Sequence, residues 1–212
     1  MITRLLAFEC VGGTYIVGGT LWVVHSLRLK VQCGWYIVGG TYVNPRSSSR
    51  SEAEISQMIS HMQHDVFEAL SDSQHMILVG EFNAHLDNLP DRFPEGHVAM
   101  LSRFPELGTT RLGQYKDRAN TAGRCLRDIA LETPLLTTDR GKGDNGDNGQ
   151  PTFFGYNPPF NPSRTEHILV STALFFCCKQ ISVLHEFDSA DHRLFSGQCS
   201  LPPMIYGFQV RL

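Results

Sequence analysis

Three short clusters carry the residue types that hydrolysis of a phosphoester needs. They are Gly80-Glu81-Phe82-Asn83-Ala84-His85, Glu166-His167-Ile168-Leu169-Val170-Ser171 and Ser189-Ala190-Asp191-His192, and each joins a carboxylate to a hydrogen-bonding side chain. Breaking a phosphodiester takes a water made nucleophilic, a cation to offset charge on the phosphoryl oxygens, and donors aimed at the transition state. Carboxylates, asparagine and histidine supply those functions. Taken singly, Asn83 reads as a turn residue after a strand and Asp191-His192 as a loop-capping pair. His85 and His167 read as surface or structural residues, because nothing beside them completes a metal shell.

The elements that must position these clusters follow from periodicity. The first 43 residues read as strands rich in Val, Ile, Thr, Trp and Tyr and punctuated by Gly pairs at 12–13, 18–19 and 39–40, with 21–25 and 35–42 as neighbours in one sheet. After a turn at 44–50, Ser51 is placed to cap a helix whose apolar residues Ile55, Met58, Ile59, Met62, Val66, Phe67 and Leu70 recur at spacings of three and four. Residues 76–79 form an apolar run suited to a strand buried on both faces, which then delivers Glu81 and Asn83 at its end. Residues 86–118 read as loop, Thr121–Glu132 as a second helix, and 141–150 as a flexible low-complexity loop that lacks the closing Glu of a calcium-binding hand. Strand candidates follow at 152–154, 167–171, 181–184 and 193–195. Strands outnumber helices, and the helices fall between strand groups. The fold class expected is therefore α+β or a layered sandwich with helices outside, in a single domain over 1–212.

Bulk composition narrows the partners. A chain of 212 residues, 42% hydrophobic and 18% charged, is long enough for one substantial core. Its 18 Lys and Arg against 21 Asp and Glu leave a net charge of −3, so any DNA contact must come from a local basic groove. Arg46, Arg50, Arg164 and Arg193 are the candidates for such a groove, although isolated surface arginines are commoner than functional ones. The six cysteines form no CxxC pair and read as buried thiols in a reducing compartment. Glu9 interrupts the first apolar run, and no stretch approaches the ~20 residues of a membrane span. A nuclear or cytoplasmic protein, neither secreted nor membrane-bound, is the expectation.

In order and separation, the three clusters resemble the endonuclease/exonuclease/phosphatase superfamily, in the form found in non-LTR, reverse-transcriptase-associated retrotransposon endonucleases. Residues 80–85 are similar to that form's Gly-Asp-Phe-Asn-Ala-His, residues 166–171 to its Asp-His-Ile-Leu-Val-Ser, and residues 189–192 to the closing Ser-Asp-His. Thr41-Tyr42-Val43-Asn44-Pro45 resembles its Val-Tyr-x-Pro turn, and Asn120-Thr121-Ala122-Gly123-Arg124-Cys125-Leu126 resembles its Asn-x-x-Gly-x-x-Leu helix. The match runs over about 21–195, and five motifs in sequence carry more weight than any one.

The resemblance implies a four-layer α/β sandwich, two packed sheets flanked by helices, here without its first strands. It also implies DNA as partner and Mg2+ or Mn2+ as cofactor. Tyr42 would contact the scissile phosphate, Asn83 would hold the phosphate and the attacking water, and Glu81 would stand where an Asp activates that water. Asp191 would serve the metal, His192 would contact the phosphate, and Glu166 would orient His192. Departures are Glu for Asp at 81 and 166, Ala190 for Ser, and an early metal-binding Glu for which Glu9 lies too close to Tyr42 in sequence. A carboxylate displaced by ~1 Å loses on the order of a hundredfold in rate. The function expected is thus a metal-dependent DNA endonuclease domain of weakened or lost activity. Two alternatives remain open: an inactive retrotransposon-derived fragment acting as a binding module, and a phosphatase or exonuclease acting on a small phosphoester.

Overall fold

A computed structural model describes residues 7–17, 20–31, 34–43, 51–86, 91–92, 110–111, 118–138, 151–153, 162–176, 178–184, 194–201 and 204–210. The β-rich start of the chain forms a meander of β1 (Ala7–Val17), β2 (Thr20–Val31) and β3 (Gly34–Tyr42), each antiparallel to the next. The Gly pairs at 12–13 and 39–40 lie inside β1 and β3 rather than ending them. At Gly39 the reason is packing: a Cβ there would stand 3.1 Å from the Leu78 side chain on the neighbouring strand.

Chain direction reverses through α1 (Glu52–Asp72), so that β4 (Met76–Glu81) pairs parallel to β3. Parallel neighbours need such a crossover. Ser51 starts the helix as expected: its Oγ accepts from the Glu54 N–H at 3.3 Å, and the Glu54 carboxylate accepts from the Ser51 N–H at 2.7 Å. That reciprocal cap, with Glu52 and Glu54 in the first turn, satisfies orphan donors and complements the helix dipole. Ile55, Met58, Ile59, Met62 and Val66 are buried. Phe67, expected on that stripe, is 45% exposed, and Leu70 is only partly buried. Phe67 sits one residue, ~100°, past Val66 and so falls off the buried face.

Beyond β4, β5 (Asp91–Arg92) and β6 (Thr110–Arg111) form a two-residue ladder inside the segment expected to be loop. Helix α2 occupies Thr121–Glu132 as the sequence predicts, and leads into β7 (Leu135–Thr137), a three-residue strand that the sequence does not announce. Next come β8 (Glu166–Ser171), the short helix α3 (Thr172–Phe175), β9 (Cys178–Leu184), β10 (Leu194–Leu201) and β11 (Met204–Val210). Of the strand expected at 152–154, Phe153 forms a bridge to Ser163 and position 154 lies outside the described residues. The strand order of the main sheet is β1-β2-β3-β4-β8-β7, and β11-β10-β9 make a second, antiparallel sheet. The expected loop at 141–150 lies outside the described residues, and no described helix is long and apolar enough to cross a membrane.

The core explains the sheet's register. Ile37, Met76, Leu78, Leu135 and Leu169 pack with the buried stripes of α1 and α2, including Leu126 and Ile129, which have no exposure. Val79, Ile168 and Val170 point to the opposite face and are buried as well, so the centre of the sheet is covered on both sides. Between β3 and β4 the backbones approach so closely at Gly80 that a Cβ would lie 2.2 Å from the Thr41 carbonyl oxygen. A backbone atom cannot swing aside. Gly80→Ala should therefore lower the unfolding free energy in a denaturant titration by about 1–3 kcal/mol. Gly39→Ala, which meets only a movable Leu78 methyl, should cost clearly less; equal losses would contradict this packing.

Candidate functional site

Because β3 and β4 run parallel, they end together, and antiparallel β8 begins at the same end. Register pairs Tyr42 with Glu81 and Glu81 with Glu166. Three of the residues singled out from sequence thus form one row across three adjacent strands, about 5 Å from strand to strand. Register partners share a face, so the row lies with Ile77 and Val79, opposite the helices. The segment that follows keeps the alternation: Phe82, Ala84 and Leu86 are buried in the core, while Glu81, Asn83 and His85 are half-buried.

Asn83 turns the chain at the strand end. Its φ of 47° makes it the one non-glycine residue with positive φ among those described, a conformation that asparagine tolerates better than most residues. Its Nδ2 donates to the Val43 carbonyl at 2.6 Å and to Glu81 Oε1 at 3.1 Å. Both neighbours are acceptors, which fixes the orientation of the amide.

Glu166 has no exposure, and its Oε2 accepts hydrogen bonds from the Thr152 hydroxyl and, at 3.0 Å, the Thr165 hydroxyl. Thr152 escapes sequence reasoning because it lies 14 residues from Glu166 in the chain, whereas Thr165 is its immediate neighbour. His167, also buried, places Nε2 2.8 Å from the Ala84 carbonyl and tilts its ring against Phe82 with centroids 6.2 Å apart. It is a structural residue that ties β8 to the loop after β4. Arg164, considered for a surface phosphate groove, is buried, with 4% exposure. Asp191 and His192 lie outside the described residues, as do Arg46, Arg50 and Arg193.

Beside Asn83 the first turns of α1 and α2 border a cleft of about 270 Å³ lined by Glu52, Ile55, Asn120, Thr121 and Arg124. Arg124 folds back on its own helix, donating to the Ala119 carbonyl at 3.2 Å and to the Thr121 hydroxyl at 3.0 Å. Burial raises the pKa of Asp65 and lowers that of His75, but Asp65 lies on α1 and His75 at the opposite end of β4 from the row. As for a cation, Glu81 and Asn83 offer hard oxygen donors of the kind magnesium takes. Among the described residues, however, no three of His, Cys, Asp and Glu gather as a metal site. These donors alone do not fit a magnesium shell.

No protein-family model matches the chain, and no curated protein matches it. Solved structures do. A 3'-5' exonuclease (NExo) from Neisseria meningitidis superposes with a TM-score of 0.61 at 15% identity, over 94% of this chain and 73% of that one. The endonuclease domain of TRAS1, a telomere-specific non-LTR retrotransposon, gives 0.54 at 12% identity, over 97% and 80%. An AP endonuclease from Archaeoglobus fulgidus gives 0.56 at 16% identity, over 83% and 65%. At such identities what is shared is the architecture. The chain has the α/β sandwich fold of these nucleases, the fold implied by the order of its five motifs.

Proposed function

We propose that this chain is an endonuclease-like domain that hydrolyses DNA phosphodiester bonds with Mg2+ or Mn2+, at a rate held down by its glutamates at 81 and 166. The observation that carries the reading is the pairing of Asn83 with Glu81 at the end of β4, level with Tyr42 and Glu166. Glu81, half-buried and oriented by the Asn83 amide, takes a proton from the attacking water. Asn83 has both amide hydrogens committed to acceptors, so its Oδ1 serves the water, a donor, better than it serves a phosphate oxygen. Tyr42, 43% exposed, presents a hydroxyl to the phosphate.

Glu166 orients His192 against the phosphate, with Thr152 and Thr165 fixing the carboxylate from behind. Asp191 is assigned to the cation, which would offset phosphoryl charge when bound. The non-LTR retrotransposon kind is favoured by the Asn-Ala-His and His-Ile-Leu-Val-Ser wording and by the likeness to the TRAS1 domain, and a nuclear or cytoplasmic setting goes with it.

Nicking of supercoiled plasmid with Mg2+ or Mn2+, against a chelated control, tests this reading. Glu81→Gln should reduce the initial rate by at least about a hundredfold. Glu81→Asp, which draws the carboxylate back by one methylene, should raise it, by roughly tenfold if the displacement argument holds. Asp191→Ala should abolish the metal dependence. An absence of metal-dependent nicking in the native chain and in Glu81→Asp would sink the hydrolytic reading, and a gel shift of duplex DNA without cleavage would leave the binding module in its place.

A further inference from the structure

We infer that Asn120 is a positioning residue for phosphoester hydrolysis, acting through Asn83: its side-chain amide clamps the loop at 83–85 so that Asn83 faces Glu81. The inference rests on the reading of Glu81 and Asn83 as groups of the reacting site. Asn120 is the N-cap of α2, and its Oδ1 accepts from the Gly123 N–H at 2.7 Å. Capping needs no more than that acceptor, and Ser, Thr or Asp would supply it as well. Asn120 does three further things. Its Oδ1 also accepts from the His85 N–H at 3.1 Å, its Nδ2 donates to the Asn83 carbonyl at 2.8 Å, and its backbone N–H donates to the His85 carbonyl at 3.3 Å.

The donor on Nδ2 is the informative one. It contributes nothing to the helix cap, and it holds the peptide of the residue whose φ is 47°. Of the common capping residues only asparagine carries its acceptor and its donor on separate atoms, so that one oxygen can take the helix and loop N–H groups while a separate nitrogen reaches the Asn83 carbonyl. Gly123 fits the same account, because a Cβ there would stand 1.9 Å from the His85 carbonyl oxygen. The helix start is therefore seated directly on the loop backbone, and Leu126, fully buried one turn further on, anchors it there. The Asn-x-x-Gly-x-x-Leu spacing reads as a cap, a close approach and an anchor that together hold Asn83.

Asn120→Asp separates clamp from cap. It keeps the acceptor for Gly123 and His85 and replaces the donor to Asn83 with a second oxygen. In the full chain we expect a denaturant midpoint lowered no further than in Asn120→Ala, a displaced Asn83 side-chain amide pair in the 15N–1H spectrum (assigned with Asn83→Asp), and faster exchange of those protons. In the nicking assay kcat should fall on the order of tenfold to a hundredfold with KM unchanged. An Asn83 amide pair that keeps its native shifts and exchange in Asn120→Asp overturns the clamp, as does a kcat loss that appears only in Asn120→Ala and tracks its loss of stability. Should Asn120→Asp fail to fold, Asn120→Gly, which is tolerated at an N-cap and has no side-chain donor, carries the same comparison. If the native chain cuts no DNA, the hydrolytic reading falls, whereas the spectrum still decides whether Asn120 holds Asn83.

Discussion

The placement of β4 between a parallel β3 and an antiparallel β8 is the constraint on which the candidate site depends. Two strands of the trio finish, and the third begins, at one end of the sheet, which brings Tyr42, Glu81 and Glu166 level although they come from distant parts of the chain. The register is held by the core. Met76 and Leu78 must face α1 and α2, so Ile77, Val79 and Glu81 must face the other way. A slip of one residue would exchange the two sets and bury Glu81 under the helices. Close contact at Gly80 and Thr41 leaves no room for another spacing of the strands.

Several polar groups near this strand end are paired within the protein. Glu166 is enclosed by two threonine hydroxyls, His167 meets the Ala84 carbonyl, and Asn83 is held from one side by Glu81 and Val43 and from the other by Asn120. Buried polar groups left unmatched would each cost about 1–3 kcal/mol, so the network specifies one geometry for the loop after β4. Such preorganisation is what a group aimed at a reacting atom requires. Glu81 is half-buried and Tyr42 exposed, while Glu166 in the same row is fully enclosed.

Where a local pattern dominates, the sequence was sufficient. The extent of α2 follows from its apolar spacing, the start of α1 from Ser51, and the polar end of β4 from an apolar run that gives way to Glu81 and Asn83. What was hidden depends on approach through space. Gly39 and Gly80 look like turn residues and instead let strands close on one another. Thr152 reaches Glu166 only once 151–153 is folded beside β8. Arg164 carries a charge that marks it for the surface, yet it is buried, and Phe67 carries an apolar ring that marks it for the core, yet it is exposed. Periodicity gives the period of a stripe more reliably than its width.

The most direct test of the central claim, that the end of β3, β4 and β8 receives a DNA phosphate, is a crystal structure with Mn2+ and a duplex nicked to leave a terminal phosphate. Manganese can be located by its anomalous scattering, independently of the protein fit. The account predicts the phosphate within hydrogen-bonding distance of the Tyr42 hydroxyl, a water on Asn83 Oδ1, and a manganese peak at Asp191. Phosphate and metal bound at another surface of the protein, with the row at Tyr42, Glu81 and Glu166 untouched, would contradict it.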